Sequence, residues 1–229
     1  MLKIKLVKLF FVFTVIYSSM LYAEKELNDS IIINAGYHVF PDSSYFDMYD
    51  RQLKILFLNK TNNLPGINYE IELNKSISLN LDKFNIELGI DSGNYNGYLN
   101  EKYTFGNRIY GKVLDIKVFY IRFIPKVVYK ISNKINTLVG IGIGNYFLND
   151  IYKQYRFEND GSTNITFLAQ FTDFNIVPHF VAGLEYSISN RLSIVIQDKY
   201  SNNPIFNENE GKTINIGGNS IMFGLKTYF

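Results

Sequence analysis

The sequence predicts an all-β fold, a closed eight-stranded antiparallel transmembrane β-barrel, and three observations predict it. Apolar and polar residues alternate with period two through eight segments, as a strand with lipid on one side and a polar lumen on the other requires. The connections between these segments alternate short and long. After residue 23 no apolar run reaches the ~20 residues of a spanning helix, although aromatics make up 16% of the chain. A mean hydropathy of −0.04 fits two-faced strands, in which each apolar position has a polar neighbour.

The first strand is expected over residues 30–40, with Ile31, Ile33, Ala35, Tyr37 and Val39 outward and Asn34, Gly36 and His38 inward. The second, 66–74, puts Ile67, Tyr69, Ile71 and Leu73 out and Asn68, Glu70 and Glu72 in, before a tight turn at Asn74, Lys75 and Ser76. The third shows Phe84, Ile86, Leu88 and Ile90 against Asn85, Glu87 and Gly89; Leu79 and Leu81 run in the opposite phase, which predicts a bulge near Asp82 and Lys83. The fourth covers 114–131 and turns at 132–134 into the fifth, 135–148. The sixth runs 173–188, the seventh 191–200 and the eighth 214–229. Pro125 and Pro178 fall inside strands, where a missing N–H interrupts the ladder, so both are expected at bulges or near strand ends. Connections at 74–76, 132–134 and 189–190 are short, and those at 41–65, 91–113, 149–172 and 201–213 are long and polar. Short turns on one rim, long loops on the other and both termini on the short-turn side are what such a barrel needs.

The amino-terminal segment has its own pattern. Lys3, Lys5 and Lys8 precede an apolar run over 9–17 and small residues to Ala23, a cleaved secretory signal peptide of residues 1–23 ahead of a barrel domain of residues 24–229. The chain has no Cys, which excludes a lipid-anchoring cysteine, disulfides and thiolate metal sites. Loss of the three lysines takes the formal charge from +2 to −1, and that balance gives no reason to expect nucleic acid as a partner.

Across nearly the whole mature length the chain resembles the small eight-stranded outer-membrane barrels, the superfamily of the OmpA barrel and the OmpX-like and OmpW-like proteins. The resemblance is carried by Gly36-Tyr37, by the run 138–147 with Gly140, Gly142 and Gly144, by 182–189 with the following 191–194, and by Gly217-Gly218-Asn219-Ser220. It also lies in the closing strand, whose Phe223, Leu225, Tyr228 and terminal Phe229 are similar to the assembly signal of those proteins, with Thr227 where an aromatic is usual. The resemblance implies export to the outer membrane, outer-membrane lipid and lipopolysaccharide as surroundings, and the outer-membrane assembly machinery as a partner. The segment 51–62, with its apolar run 55–58, fits no pattern and reads as an enlarged first loop.

The candidate site is the lumen. The inward phase collects Glu70, Glu72, Glu87 and Glu185 against Arg122, Lys126, Lys199 and Lys226, four acids to four bases. In an interior of eight strands, just wide enough for side chains, these groups are expected to pair and plug the barrel. The glycines at 140, 142 and 144 lack the spacing and following helix of a dinucleotide site and instead make room for neighbouring Arg or Tyr. His38 and His179 have no arranged carboxylate and no Ser two residues on, which favours hydrogen-bonded lumen residues over a metal or catalytic site. Glu158, Asp160, Glu208 and Glu210 match no calcium loop and read as solvated loop acids. No cofactor or catalytic residue is expected. The function expected is a non-enzymatic structural or surface-interaction role through the long loops; a narrow transport barrel is the alternative, and a lipid-modifying enzyme the third reading.

Overall fold

The structure is a computed structural model, and it describes residues 29–39, 65–81, 83–105, 107–158, 161–207, 212–215 and 217–229. The segment 1–23 and the run 51–62 lie outside the described residues. Ten strands are described: β1 (Ser30–Val39), β2 (Pro65–Leu81), β3 (Phe84–Phe105), β4 (Arg108–Lys130), β5 (Ile135–Phe157), β6 (Thr163–Ser189), β7 (Leu192–Ser201), β8 (Pro204–Asn207), β9 (Lys212–Asn215) and β10 (Gly218–Tyr228). Eight close into an antiparallel barrel in the order β1-β10-β7-β6-β5-β4-β3-β2, while β8 and β9 form a separate hairpin in the last long connection.

Closure follows from the alternation. β1 pairs with β10 from Ser30↔Tyr228 to Val39↔Asn219 and with β2 from Ser30↔Asn74 to Val39↔Pro65, so neither terminal strand leaves an edge. Followed rung by rung from His38, the wall reaches Phe171 through β2 to β5 and Val181 through β10 and β7, a stagger of ten residues on β6. Eight strands with that stagger tilt by about 40° and enclose only side chains.

The two faces are as the period predicts. On β1, Ile32, Asn34 and His38 are buried inside while Ile33 is 64% exposed outside. Ile71, Val139, Ile141, Ile143, Leu184, Ile196, Ile221, Phe223 and Leu225 are likewise exposed, a continuous apolar belt. Aromatics rim it: Tyr37, Tyr69, Phe119, Phe147, Phe174 and Tyr200 towards the long connections, Phe84, Tyr186 and Phe229 towards the short ones. Phe119, Phe147 and Phe174 form a contiguous row, with centroids 6.0 and 4.8 Å apart.

Several expected boundaries are corrected. No turn occurs at Asn74, Lys75 and Ser76; β2 continues to Leu81 because Ile77 keeps the outward phase opposite Ile86. The irregularity lies between Ser78 and Leu81, and Asp82 lies outside the described residues. The connections 91–113 and 149–172 are mostly not loops: β3 and β4 stay paired to Phe105↔Arg108, and β5 and β6 to Phe157↔Thr163. The eighth barrel strand starts at Gly218, since Lys212–Asn215 belongs to the small hairpin. Pro125 sits at no bulge, because the β4–β5 register is kept across it with the pairing merely interrupted between Phe123↔Ile143 and Lys126↔Gly140. Pro178 immediately precedes the first β6–β7 pair, His179↔Ser201, where the ladder ends.

Candidate functional site

Period two sends Glu70 and Glu72 of β2, Glu87 of β3, Arg122 and Lys126 of β4, Glu185 of β6, Lys199 of β7 and Lys226 of β10 into the lumen, and all eight are buried. Asp91, within the expected 91–113 connection, joins them with no exposure, and the phase of Glu87 and Gly89 points it inward. The lumen ion pairs among the described residues therefore join five carboxylates to four cations.

Two linked tiers result. Nearer the short turns, Lys226 Nζ donates to Glu87 Oε1 at 2.5 Å and Glu185 Oε2 at 3.0 Å, and the Tyr228 hydroxyl donates to the other oxygen of Glu185. Lys126 Nζ donates to Glu72 and to Asn74 Oδ1 at 2.6 Å and lies 3.4 Å from Glu87 Oε2. Above them Lys199 Nζ is held by Glu70 at 2.5 Å, Glu72 at 2.9 Å and Asp91 at 3.0 Å. Arg122 grips Asp91 with two nitrogens, at 2.8 and 2.9 Å, and also donates to Glu70. Glu72 bridges Lys126 and Lys199, so no plane separates the tiers. A buried charge without a partner costs several kcal/mol, on the order of 3–5 when one member of a pair is removed, which is why the sequence supplies both signs on neighbouring strands.

Polar and aromatic groups extend the network upward. The Arg122 guanidinium lies 4.0 Å from the centroid of the Tyr120 ring, whose hydroxyl donates to Asn68 at 2.8 Å and Glu70 at 2.9 Å. Asn68 donates to Ser220 Oγ at 3.1 Å, which is 2.8 Å from His38 Nδ1, and His38 stacks on Tyr95 at 3.9 Å. Tyr95, Tyr120, Tyr146 and Tyr152 fill the lumen at this level and are all buried. The glycines of β5 explain how so much fits. A Cβ at Gly140 would stand 2.7 Å from Lys126 Cγ, one at Gly142 2.7 Å from His179 Cε1 and one at Gly144 2.5 Å from Arg122 Cγ. Gly144 thus makes room for an Arg, as the sequence suggested, and the other two admit a Lys and a His.

The histidines do not share a role. His38 belongs to the network, but His179 is buried against Gly142 with neither ring nitrogen hydrogen-bonded among the described residues, contrary to the expectation for it. Glu70, Glu72 and Asp91 could together ligate a cation, but their shared centre is taken by the Lys199 ammonium. Glu158 is not a free loop acid: Arg156 Nε donates to it at 2.7 Å and Asn164 at 3.0 Å, and these bonds, the Asn164 one foremost, hold its carboxyl below the usual glutamate range. Asp160, Glu208 and Glu210 lie outside the described residues. Of the closing-strand residues, Phe223, Leu225 and Phe229 face outward, Phe229 at 72% exposure, while Tyr228 turns in to Glu185.

No family model and no curated protein sequence matches the chain. Among solved structures it is similar to Neisserial surface protein A, at 11% identity and TM-score 0.50, over 90% of this chain and 100% of that one. The attachment invasion locus protein Ail of Yersinia pestis also matches, at 14% identity and TM-score 0.42 over 90% and 100%. So does the N-terminal β-barrel domain of Pseudomonas aeruginosa OprF, at 12% and 0.43 over 88% and 98%. With its own strand pairing, the first of these gives the chain the fold of the small eight-stranded outer-membrane β-barrels.

Proposed function

We propose that this chain is a non-enzymatic integral outer-membrane protein that presents an interaction surface outside the cell. Residues 1–23 would be its export signal and residues 24–229 its barrel, set in outer-membrane lipid and lipopolysaccharide by the assembly machinery. One observation carries the reading. β3, β4, β5 and β6 continue as a four-stranded sheet well beyond the last barrel rungs, Gly66↔Gly97 and His179↔Ser201. Among the described residues no strand pairs with the outer edge of β6 between Thr163 and Asp173. A long unpaired edge is a template for another extended chain, and proteins that have no use for one normally shorten or cover it. At the end of β5 and start of β6, Gly161, at φ +82°, donates to the Glu158 carbonyl at 3.1 Å, and Glu158 N donates to the Ser162 carbonyl at 2.9 Å. The crossed salt bridges of the lumen support a plugged barrel over the transport alternative.

The test removes the β5–β6 end of the sheet, with residues 163–170 of its outer edge, and keeps the barrel. Ile151 pairs with Gln170, so replacing residues 151–170 by a two-residue turn preserves the rungs below. Cells displaying the trimmed protein are expected to keep a folded, heat-modifiable barrel and to lose binding to immobilised extended peptides that the full chain captures. Equal binding by both would refute the proposal. A second expectation concerns assembly: deleting Phe229 shortens the outward stripe of β10 at the rim and should lower the folded fraction recovered from outer membranes. Unchanged yield would remove Phe229 from the assembly role.

A further inference from the structure

On β7 the side chains of Gln197 and Lys199 are buried in the lumen, and Asp198 between them is exposed on the outside of the wall. It stands within the apolar belt: Ile196 and Tyr200 flank it along β7, and its partners across the rungs are Ala182 on β6 and Ile221 on β10. Over the panel formed by β6, β7, β10 and β1 the outward residues between the aromatic rims are otherwise uncharged. Among the described residues the Asp198 side chain has no hydrogen bond or ion pair. A carboxylate facing hydrocarbon is costly, and such residues almost always face a partner rather than lipid.

We propose that Asp198 is the hydrogen-bonding centre of a lateral interface with a second copy of this chain, through the β6–β7–β10 panel. The inference rests on the outer-membrane placement proposed above. Depth decides the occupant. The exposed cations Lys117 and Lys153 lie near the long connections and Lys83, Lys134 and Arg191 at the short turns, none of them on the β6, β7 and β10 stretches that surround Asp198. A two-fold axis along the barrel instead brings Asp198 of each copy to the same depth automatically. A carboxylic acid carries both an O–H donor and a carbonyl acceptor, so the group type is complementary to itself across such an axis. Ala182 directly beside it lets the walls approach closely, as small residues do where membrane segments pack.

The absence of cysteine makes the test direct. Ala182→Cys in the full chain, treated in membranes with a short bismaleimide, is expected to give a covalent dimer; Ile71→Cys, on the far side of the barrel, should stay monomeric. Asp198→Leu makes the wall more apolar, so it is expected to fold at least as well while weakening the dimer by roughly threefold to thirtyfold, the span of polar contacts between membrane segments. Asp198→Asn, whose amide can also pair with itself, should retain it. Folded barrel in the membrane with Ala182→Cys no more crosslinked than Ile71→Cys, or crosslinked to a different protein, overturns the dimer and leaves the membrane reading standing. A dimer indifferent to Asp198→Leu assigns the contact to other residues and overturns the role of Asp198. Protein that never reaches the membrane overturns both readings.

Discussion

Replacing Lys199 by Met is expected to destabilise the barrel by about 3–5 kcal/mol, the cost of leaving buried negative charge uncompensated. Met nearly conserves the volume of the side chain, so the loss isolates charge from packing. Lys199 is the natural choice because its ammonium is the meeting point of Glu70, Glu72 and Asp91, whereas Arg122 serves only Glu70 and Asp91. Asn34 also donates to Glu70, at 2.8 Å, but a neutral amide does not replace a cation between three carboxylates. The measurement is refolding into lipid vesicles along a urea gradient, with Asp91→Asn and the double variant completing a cycle. Asp91→Asn in the Lys199→Met background should recover part of the loss, because the buried excess of negative charge is then smaller by one, although Arg122 and Lys126 still pair Glu70 and Glu72. Planar bilayers supply the second readout: a plugged wild-type barrel passes no steady current. A wild-type barrel that conducts, with Lys199→Met changing only its ion selectivity, would reject the plug and promote the transport reading.

Much of this site was readable from alternation alone, and the failures have physical causes. Glu70, Glu72 and Glu87 could be placed because apolar neighbours such as Ile71 and Leu88 fix the phase on either side of them. Asp91 was lost because Ser92, Asn94 and Asn96 follow it on the outward face, and without apolar residues there the segment looks like a loop. Ladder hydrogen bonds do not need an apolar face, and β3 and β4 keep theirs to Phe105↔Arg108. The false turn at Asn74, Lys75 and Ser76 came from turn-forming residue types overriding a phase that Ile77 continues. The outward position of Asp198 is legible from the same alternation that sends Lys199 inward. Which cation meets which carboxylate was not legible, because that depends on the ten-residue stagger of the wall, and the stagger follows from where strands end rather than from their phase.

The outward face yields the other large effect. Ile33→Arg is expected to reduce the stability of the folded barrel in lipid by about 2–4 kcal/mol, and Tyr37→Arg, on the same strand and face, by no more than about 1. Ile33 lies between Ile71 and Leu225 across the rungs and is 64% exposed, in the middle of the belt. Tyr37 lies beside Ile67 and Ile221 in the aromatic rim, where an arginine can reach headgroups and water. Both substitutions add the same charge to the same side of β1, and neither touches the lumen, so their difference reports depth alone. Refolding titrations into vesicles measure it directly. In detergent-free water a two-faced barrel would show no such gradient, since arginine is equally solvated at both positions. Equal effects at Ile33 and Tyr37 would therefore mean that the exposed isoleucines, leucines and phenylalanines of this wall do not face lipid. A gradient in the expected direction would locate the centre of the bilayer near Ile33, at the level where Glu70 and Glu72 meet their cations on the other side of the wall.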